Sequence, residues 1–512
     1  MNETANRARA VVDLAAVRAN VRALRERAPG AELMAVVKSD GYGHGAVPCA
    51  RAARAAGATW LGTALPEEAL ALRAAGDTGR LMCWLWTPGG PWRRAVEQDI
   101  DVSVSGLWAL REVTDAARAA GRTARVQLKI DTGLGRNGCP PADWPELTAA
   151  ARAAEAAGAL RVTGVWSHFA CADEPGHPSI AAQLDVFHQA LRTAESAGLR
   201  PEVRHIANTP ATLTLPEAHF DLVRTGIGIY GISPSPEVGT SEDFGLRPAM
   251  TLEAALASVK RVPGGHGVSY GHRYLTPGET TLALVPLGYA DGIPRHASGT
   301  GPVLVAGKWR TVAGRIAMDQ FVVDLGGDSA EVGDLAVLFG PGDRGEPTAE
   351  DWGRAAGTIG YEIVTRIGTR VPRVYVDSEM DGGVFGADEA EEAHEAQAPH
   401  EEHATAVGTA AATAAGPEAG PAAGTAVGTE AGTESAADSA ISTVTTTAPA
   451  TAAHQAPTTA PTTAKTHATD TAPTTAKTHA TDTAPTTATT HATDTATAGT
   501  ADGDTALTGG TA

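Results

Sequence analysis

Cysteine is scarce in this sequence, and its spacing follows no recognisable pattern. The 512 residues include only four cysteines, and no two of them form a Cys-x-x-Cys pair. Secreted disulfide scaffolds are dense in cysteine, and structural zinc sites need closely spaced thiols or imidazoles. The sequence therefore predicts neither a disulfide framework nor a metal site, and a reducing compartment is the interpretation that fits.

Long apolar runs and an excess of positive charge are also missing. The N-terminus is polar, and no later segment approaches the ~20 apolar residues that a membrane-spanning helix needs. Lysine and arginine together number 40 against 59 acidic residues, so electrostatics give no support to nucleic-acid binding. We therefore expect a cytoplasmic protein that binds neither membranes nor nucleic acids.

Aromatic and basic residues nearly disappear after position 376. The last 136 residues contain one aromatic residue, Phe385, and two basic residues, Lys465 and Lys477, against 19 acidic residues. They therefore carry −17 of the total net charge of −19 and have almost nothing to bury. This composition predicts that residues 377–512 form a disordered, acidic, Ala/Thr-rich tail.

A twelve-residue unit recurs within this predicted tail, at 461–472, 473–484 and 485–496. Each copy begins Pro-Thr-Thr-Ala and ends Thr-His-Ala-Thr-Asp-Thr-Ala. The unit has no large apolar side chain, so the repeats cannot stack into a solenoid core. The histidines His467, His479 and His491 recur with it, but no histidine pair sits at ligand spacing with a second ligand type, which favours a solvated segment over a metal site.

The first 240 residues alternate short apolar runs with Ala-rich helical segments. The apolar runs are continuous, as expected of parallel strands buried on both faces. Eight such runs lie at 33–37, 60–64, 81–86, 102–104, 126–130, 162–166, 203–206 and 222–230. Segments with helical periodicity, such as 107–120 and 144–157, separate them. Residues 1–240 are therefore predicted to form an α/β fold, an eight-stranded (β/α)8 barrel, with a doubly wound sheet as the main alternative.

The pattern changes after about residue 240. Short runs rich in β-branched residues follow, punctuated by glycine and proline, at 252–259, 281–286, 303–305, 311–312, 321–325 and 335–339. We predict that residues 241–376 form a mostly β C-terminal domain. Residues near 10–13 are candidates to pair with that domain.

Polar residues at the ends of the predicted barrel strands supply the candidate site, because barrel enzymes place their chemistry there. Lys38 ends the first run, where burial would lower its pKa and make it a nucleophile or a Schiff-base former. Thr209 and the segment 225–228 follow the last two strands, where barrels often bind phosphate. A Schiff-base lysine facing a phosphate pocket suggests pyridoxal 5'-phosphate as cofactor. A solvated lysine at a strand end is the alternative.

A series of sequence blocks, in one order over roughly residues 10–376, resembles those of the alanine racemases. The blocks lie at 35–45, 128–136, 205–208, 223–227, 268–271, 288–292, 314–320 and 358–363. The resemblance implies a pyridoxal-phosphate-dependent isomerase that interconverts L- and D-alanine for peptidoglycan. The tail has no counterpart in the family. A serine or broad-spectrum racemase and a non-catalytic pyridoxal-phosphate carrier, which lacks the β domain, are the alternatives.

The resemblance also implies roles for individual residues. Lys38 would hold the cofactor and act as the base on D-alanine. Tyr270, contributed by the second subunit of a homodimer with shared active sites, would be the base on L-alanine. A racemase needs two bases because it takes a proton from one face and delivers one to the other. Arg224 would face the pyridine nitrogen of the cofactor, next to His168. The other implied cofactor-binding residues are Tyr42, Asn208, Thr209, Gly226, Ile227 and Tyr361.

Three further positions complete the expected site. Arg136 and Met318 match substrate-binding positions of the family. Lys129 matches a position that is carbamylated in some members. The sequence departs from the family at 39–41, where Ala-Asn-Ala is common, and at Thr209, where serine is usual. Threonine keeps the hydroxyl, so we expect phosphate binding to survive.

Overall fold

The computed structural model describes residues 7–377. The acidic tail predicted for 377–512, with its repeats, lies outside the described residues except for Asp377. Asp377 forms an ion pair with Arg18, with 2.5 Å between Oδ1 and Nη2. Within the described range, no helix is long and apolar enough to cross a lipid bilayer.

A strand at the N-terminus, β1 (Ala8–Asp13), precedes a nearly closed barrel of eight parallel strands. The barrel strands are β2 (Glu32–Val36), β3 (Trp60–Thr63), β4 (Arg80–Cys83), β5 (Asp101–Val104), β6 (Ala124–Lys129), β7 (Leu160–Trp166), β8 (Val203–His205) and β9 (Leu222–Thr225). They follow one another around the barrel, with β9 beside β2. Near the gap between β8 and β9, the Arg224 N–H donates to Ala207 O over 3.0 Å. The predicted barrel is therefore confirmed, and the doubly wound alternative is wrong.

Helices precede and connect the barrel strands. They are α1 (Leu14–Arg27), α2 (Lys38–Tyr42), α3 (Ala46–Ala55), α4 (Pro66–Ala74), α5 (Trp92–Glu97), α6 (Leu107–Ala120), α7 (Trp144–Ala156), α8 (Pro178–Ser196) and α9 (Thr209–Thr214). In α6, the buried side chains Leu110, Val113 and Ala117 recur at helical spacing and face the barrel. Gly121 ends this helix in the left-handed region, with φ of 62°. The strands are buried on both faces, as in β3, where all four residues are buried.

The predicted run 222–230 is not one strand, since β9 ends at Thr225. Gly226 then turns the chain with φ of −100° and ψ of −96°, and residues Ile227–Tyr230 form a 3-10 turn. Apolar composition continues through this turn because Ile227 and Tyr230 are both buried. Periodicity alone could not show where the strand stops.

The C-terminal region is mostly β, as predicted. Its strands are β10 (Met250–Ala255), β11 (Ser258–Val262), β12 (Gly267–Val268), β13 (Tyr274–Leu275), β14 (Thr280–Val285), β15 (Pro302–Val305), β16 (Lys308–Thr311), β17 (Phe321–Asp324), β18 (Leu335–Phe339) and β19 (Arg373–Val376). Two short helices, α10 (Ala349–Ala356) and α11 (Gly360–Thr365), precede the last strand. The sequence did not predict these two helices or β19.

The predicted strand 252–259 is wrong, because it spans two strands of different sheets. β10 belongs to a six-stranded sheet and β11 to a three-stranded sheet with β14 and β17. Between them, the Leu256 N–H donates to Asp334 O over 2.8 Å and the Ala257 N–H to Leu284 O over 2.9 Å. The chain therefore changes sheets within two residues that remain apolar, which leaves no break in the sequence pattern.

The N-terminal strand β1 completes the larger sheet of the C-terminal region. The strand order of that sheet is β16-β15-β18-β10-β1-β19. Ala10 lies opposite Leu252 in the antiparallel pairing with β10, and Val11 opposite Val374 in the parallel pairing with β19. The first and last described strands of the chain are therefore neighbours.

Candidate active site

A cavity of about 720 Å³ opens at the C-terminal ends of the barrel strands. Most of the site residues predicted from the sequence line this cavity. These are Lys38, Tyr42, Arg136, His168, Asn208, Thr209, Arg224, Gly226, Ile227 and Tyr361. Lys129 lines it as well. The barrel thus brings together side chains that are up to 323 positions apart in the sequence, between Lys38 and Tyr361.

The cavity is strongly cationic. Lys38, Lys129, Arg136 and Arg224 line it, whereas no aspartate or glutamate is among its described lining residues. Buried positive charges without carboxylate partners are costly, so such a set is typical of a site whose charges are balanced by a ligand. The donor set therefore fits an anionic small molecule.

Lys38 follows β2 after one residue, Val37, and is the first residue of α2. Burial lowers its pKa, and the positive charge of Arg136 lowers it further, while Glu68 acts in the opposite direction. Its Nζ lies 5.6 Å from the centroid of the Tyr42 ring and 6.0 Å from that of Trp84. A lysine in this environment is more often neutral than a solvated one, and a neutral amine can act as a nucleophile or a base.

The loop that carries Lys38 has an unusual backbone. Ser39, Asp40 and Tyr42 all adopt positive φ, between 51° and 53°. Two carboxylates fix this geometry: Glu68 Oε1 accepts from the Ser39 N–H over 2.6 Å, and Asp40 Oδ1 accepts from the Ala46 N–H over 2.8 Å. Strain of this kind persists where the surroundings enforce it, and it is common at functional sites.

Tyr42 and Gly226 fit each other closely. A Cβ atom added to Gly226 would lie 2.3 Å from the Tyr42 hydroxyl, so only glycine allows this approach. Beside them, the Gly226 N–H donates to Thr209 Oγ1 over 3.0 Å. Burial raises the pKa of Tyr42, which therefore keeps its phenolic proton as a hydrogen-bond donor. Asn208 supports the same region, because its Oδ1 caps α9 through the Ala211 N–H over 3.3 Å.

Arg224 is held by a ring of acceptors in the barrel interior. Its Nη1 lies 2.9 Å from His205 Nδ1, and its Nη2 lies 3.1 Å from His168 Nδ1. Nη2 also donates to Ser167 O over 2.8 Å and to Ile206 O over 3.1 Å. Every one of these partners is uncharged or a carbonyl, and burial lowers the pKa of Arg224 to about 9. The guanidinium is fixed in place without an ion pair.

His168 and Lys129 share the electrostatic environment of Arg224. Burial lowers the pKa of His168 well below its usual range, and the cations Arg224, Lys129, Arg136 and Lys38 lower it further. Burial also lowers the pKa of Lys129 to about 7, helped by Arg224 and Arg136. His168 is therefore neutral at physiological pH, and Lys129 loses its proton near neutrality.

Tyr270 and Met318 lie apart from this cavity and are not among its lining residues. Both are exposed, with 69% of Tyr270 and 53% of Met318 accessible to solvent. Tyr270 follows Ser269, which has φ of 59° and whose hydroxyl donates to Arg315 O over 2.6 Å. The Tyr270 ring is thus exposed to solvent next to a fixed backbone turn.

Tryptophans form a part of the cavity wall that the sequence reasoning missed. Trp84, Trp86, Trp108 and Trp166 line the cavity, and the Trp84 and Trp166 rings are 6.3 Å apart. His205 was also missed as a partner of Arg224. The available signal was the frequency of tryptophan, which with nine residues outnumbers tyrosine and phenylalanine at seven each, together with the position of Trp84 and Trp166 at strand ends.

A nearly closed (β/α)8 barrel with a buried lysine in a cationic cavity, followed by a β domain, is the architecture of a barrel enzyme whose cavity suits an anionic ligand. A family model described as "Alanine racemase, N-terminal domain" matches residues 12–234, and one described as "Alanine racemase, C-terminal domain" matches residues 249–375. The chain belongs to the alanine racemase family, which is a family of isomerases. The resemblance noted from the sequence blocks is thereby confirmed.

Individual relatives agree with the family models. An alanine racemase of Streptomyces coelicolor is 78% identical over 376 residues, which are 72% of this chain and 96% of that protein. A solved alanine racemase from D-cycloserine-producing Streptomyces lavendulae is 72% identical, covers 77% of this chain and 100% of its own, and superimposes with a TM-score of 0.73. A solved alanine racemase from Bacillus anthracis with bound L-Ala-P is 35% identical, covers 76% of this chain and 99% of its own, and has a TM-score of 0.67.

Proposed function

We propose that this protein interconverts L- and D-alanine with pyridoxal 5'-phosphate as cofactor, as a homodimer whose subunits share their active sites. The observation that carries the proposal is the cavity lined by four cationic side chains and no described carboxylate, with Lys38 at its edge. The membership of the chain in the alanine racemase family supports alanine as substrate, as does the L-Ala-P bound in the Bacillus anthracis relative.

The residues of the cavity fit this cofactor by their chemistry. The amine of Lys38 would bond the aldehyde carbon of the cofactor. The phosphate side would be held by Tyr42, Asn208, Thr209, Gly226, Ile227 and Tyr361, and the absence of a side chain at Gly226 makes room there for the Tyr42 hydroxyl. Arg224 and His168 would hold the pyridine side. When bound, pyridoxal phosphate withdraws electrons from the Cα–H bond of an amino acid and so makes its proton removable.

Arg224 suits a racemase in particular. A cation held by uncharged partners disfavours a second positive charge next to it, so it disfavours protonation of the pyridine nitrogen. A less protonated ring draws electrons less strongly, which favours rapid return of the proton over other reactions of the amino acid. Arg224 would therefore bias the site toward racemisation.

Two groups would move the proton. Lys38 Nζ would exchange it on the face of D-alanine, since burial and Arg136 lower the pKa of that amine. The phenolic oxygen of Tyr270 of the partner subunit would exchange it on the opposite face. Arg136 would hold the substrate side together with Met318, which is exposed and does not line the cavity of its own chain.

The proposal is tested with purified protein supplied with pyridoxal phosphate and L-alanine in D₂O. We expect loss of optical rotation together with incorporation of deuterium at Cα. Parallel reactions with L-serine and other amino acids measure the substrate range. Protein that binds the cofactor but shows neither deuterium exchange nor loss of rotation with any of these amino acids would contradict the proposal.

A further inference from the structure

A chain of buried polar side chains leads away from Arg224 through the interior of the barrel. It consists of Asp101 on β5, Gln127 on β6 and His205 on β8, and it ends at Arg224 on β9. The exposed fractions of these four residues are 1%, 0%, 0% and 4%, in that order. Of the four, only Arg224 lines the cavity. The other three are therefore not required for contact with any ligand there.

The links in this chain are short. Asp101 Oδ2 lies 3.0 Å from Gln127 Nε2, and Gln127 Oε1 lies 2.7 Å from His205 Nε2. His205 Nδ1 lies 2.9 Å from Arg224 Nη1. At the far end, Arg125 Nε donates to Asp101 Oδ1 over 2.5 Å. A continuous line of hydrogen bonds thus joins two arginines across the barrel.

The chemistry of the two ends sets the direction of every link. A guanidinium can only donate, so His205 Nδ1 must accept from Arg224 and its proton must be on Nε2. Nε2–H then donates to the Gln127 oxygen, which leaves the Gln127 amide NH₂ to face Asp101. A carboxylate can only accept, so Asp101 requires the same orientation of Gln127. Both ends therefore select one tautomer of His205.

The barrel is shaped to hold this chain. A Cβ atom added to Gly164 would lie 2.7 Å from Gln127 Oε1, so glycine makes room for the amide. The pairing of β6 with β7 is irregular next to Gln127, and the irregularity lets Thr163 Oγ1 donate to Asp101 Oδ2 over 2.6 Å. The ring of His205 stacks on Trp166 with 5.7 Å between centroids and 5° between planes. Each of these features fixes one link.

A gain in folding stability is a weak explanation for this chain of buried polar side chains. Buried polar networks are costly unless every member is satisfied, and apolar side chains of similar volume often stabilise a core as well or better. The network does, however, specify one arrangement of donors and acceptors. What it specifies here is the acceptor that faces Arg224.

We propose that Asp101 is a positioning residue for Arg224. It fixes the amide of Gln127, which holds His205 in the Nε2–H tautomer and leaves the Nδ1 lone pair to accept from the guanidinium. The inference rests on the proposed function, because Arg224 is the residue that would hold the pyridine side of the cofactor. Burial, and then the charge of Arg224, lower the pKa of His205 well below its usual range, so the ring is neutral and its tautomer is the property that can vary.

The variant Asp101→Asn tests this order of donors and acceptors. Arg125 donates to Oδ1 of residue 101, so the asparagine must keep its oxygen at that position and its NH₂ would face Gln127. Two NH₂ groups cannot bond each other, and Gln127 must turn its oxygen toward residue 101. The Gln127 NH₂ then points at His205 Nε2 and favours the Nδ1–H tautomer. In that tautomer two donors, His205 Nδ1–H and the Arg224 N–H, face each other and cannot form a hydrogen bond. The double variant Asp101→Asn with Gln127→Glu restores the original order, because a carboxylate at 127 accepts from both neighbours.

The measurement is ¹⁵N NMR of histidine-labelled full-length protein, with His205 assigned by its loss in His205→Gln. The cofactor-free and cofactor-loaded forms are both recorded, and kcat and KM are measured beside them. We expect the Nε2–H form in the wild type and in the double variant. In Asp101→Asn we expect a mixed or Nδ1–H form and a kcat lower by about 10-fold to 100-fold, the range known for outer hydrogen-bond partners of site residues, with little change in KM. Asp77→Asn, which removes a carboxylate paired with Arg54 and Arg73 outside this chain, is the matched control for lost ion pairing.

The proposal is overturned if Asp101→Asn keeps the wild-type tautomer and a kcat within about twofold of Asp77→Asn, or if the double variant regains the tautomer without regaining kcat. If Asp101→Asn does not fold, Gln127→Met cuts the chain without reversing it. A wild-type kcat in Gln127→Met then contradicts the proposal, and a lowered kcat with faster exchange of the His205 Nε2 proton supports it.

The tautomer of His205 in cofactor-free protein does not depend on the reaction. If Asp101→Asn changes the tautomer but the wild type has no racemase activity, the result contradicts the proposed function and leaves the positioning role of Asp101 standing.

Discussion

Lys129 Nζ lies 4.3 Å from the centroid of the Trp166 ring, and the guanidinium carbon of Arg224 lies 4.9 Å from the centroid of that ring. One indole therefore contacts two cations that repel each other. Contact with an aromatic face stabilises a cation, yet burial and Arg224 still lower the pKa of Lys129 to about 7. This amine therefore titrates near neutrality.

The first prediction follows from the pKa of Lys129. In the unfolded chain lysine titrates near ~10.4, so between about pH 7 and pH 10 the unfolded state binds more protons than the folded state. Stability therefore rises with pH across this window. We expect the wild type to gain a few kcal/mol relative to Lys129→Met between pH 7 and pH 10, in buffers free of CO₂. Denaturant titrations at several pH values measure the difference, and a difference that stays constant with pH would contradict it.

The second prediction concerns carbamylation of the same amine. A neutral lysine amine can add CO₂, and the resulting carbamate would place a negative charge among the cations Arg136 and Arg224. We expect bicarbonate to remove the pH dependence of the wild type described above. Native mass spectrometry should show the addition of one CO₂ that Lys129→Met lacks. If bicarbonate changes neither the mass nor the stability of the wild type, Lys129 is not carbamylated.

The third prediction concerns the close contact of Gly226 with Tyr42. In Gly226→Ala the new methyl group would meet the Tyr42 hydroxyl at 2.3 Å and displace the ring. We expect the affinity for pyridoxal phosphate to fall by about 10-fold or more, since the displaced hydroxyl is an expected phosphate contact. Titration of cofactor-free protein with the cofactor gives the Kd. In a Tyr42→Phe background the hydroxyl is already absent, so Gly226→Ala should lower the affinity for pyridoxal phosphate by a smaller factor. An equal factor in both backgrounds would show that the two residues act independently.

The fourth prediction concerns the sharing of active sites. Tyr270 is 69% exposed within its own chain, so Tyr270→Phe should leave the folded monomer intact while removing one proton-transfer group. Lys38→Ala removes the other. Because a mixed dimer would contain one complete site, subunits of the two inactive variants that are dissociated and reassociated together should regain about a quarter of wild-type activity, as random pairing predicts. Failure of the mixture to regain activity, in dimers shown to exchange, would exclude shared sites.

The fifth prediction concerns the geometry of Arg224. Its guanidinium donates to four acceptors at once, and an ammonium group offers no planar fork to do the same. We expect Arg224→Lys to lower kcat by about 100-fold although the charge is kept. A shift of the cofactor absorption spectrum should accompany the loss. Near-normal kcat in Arg224→Lys would show that charge alone matters.

The barrel was predictable from the sequence because its strands are buried on both faces. Continuous apolar runs such as that ending at Lys38 placed each strand within a few residues of its position. The candidate site followed, since the polar residues after those runs meet at one end of a barrel. The apolar pattern did not show where a strand ends when apolar residues continue past its end, as at Gly226 and at Leu256.

The contacts that tune the site were not predictable in this way. Gln127 and His205 lie inside predicted strands, where polar residues give no sign of their partners on other strands. The strand β19 was missed although its sequence, Arg-Val-Tyr-Val, suits a strand, because a run of four half-buried residues is too short to show a period. Residue roles such as those of Tyr270 and Met318 came from family resemblance alone, and they stay predictions.

The position of β1 between β10 and β19 has a consequence for synthesis of the chain. The first described strand emerges from the ribosome long before either of its neighbours, which begin at Met250 and Arg373. Until then its backbone hydrogen-bonding groups have no sheet to join, and pairing over such a separation is slow to form. The larger sheet of the C-terminal region therefore cannot close until residues up to Val376 have been made, and a chain cut before Arg373 would leave at least one edge of β1 open to association with other molecules.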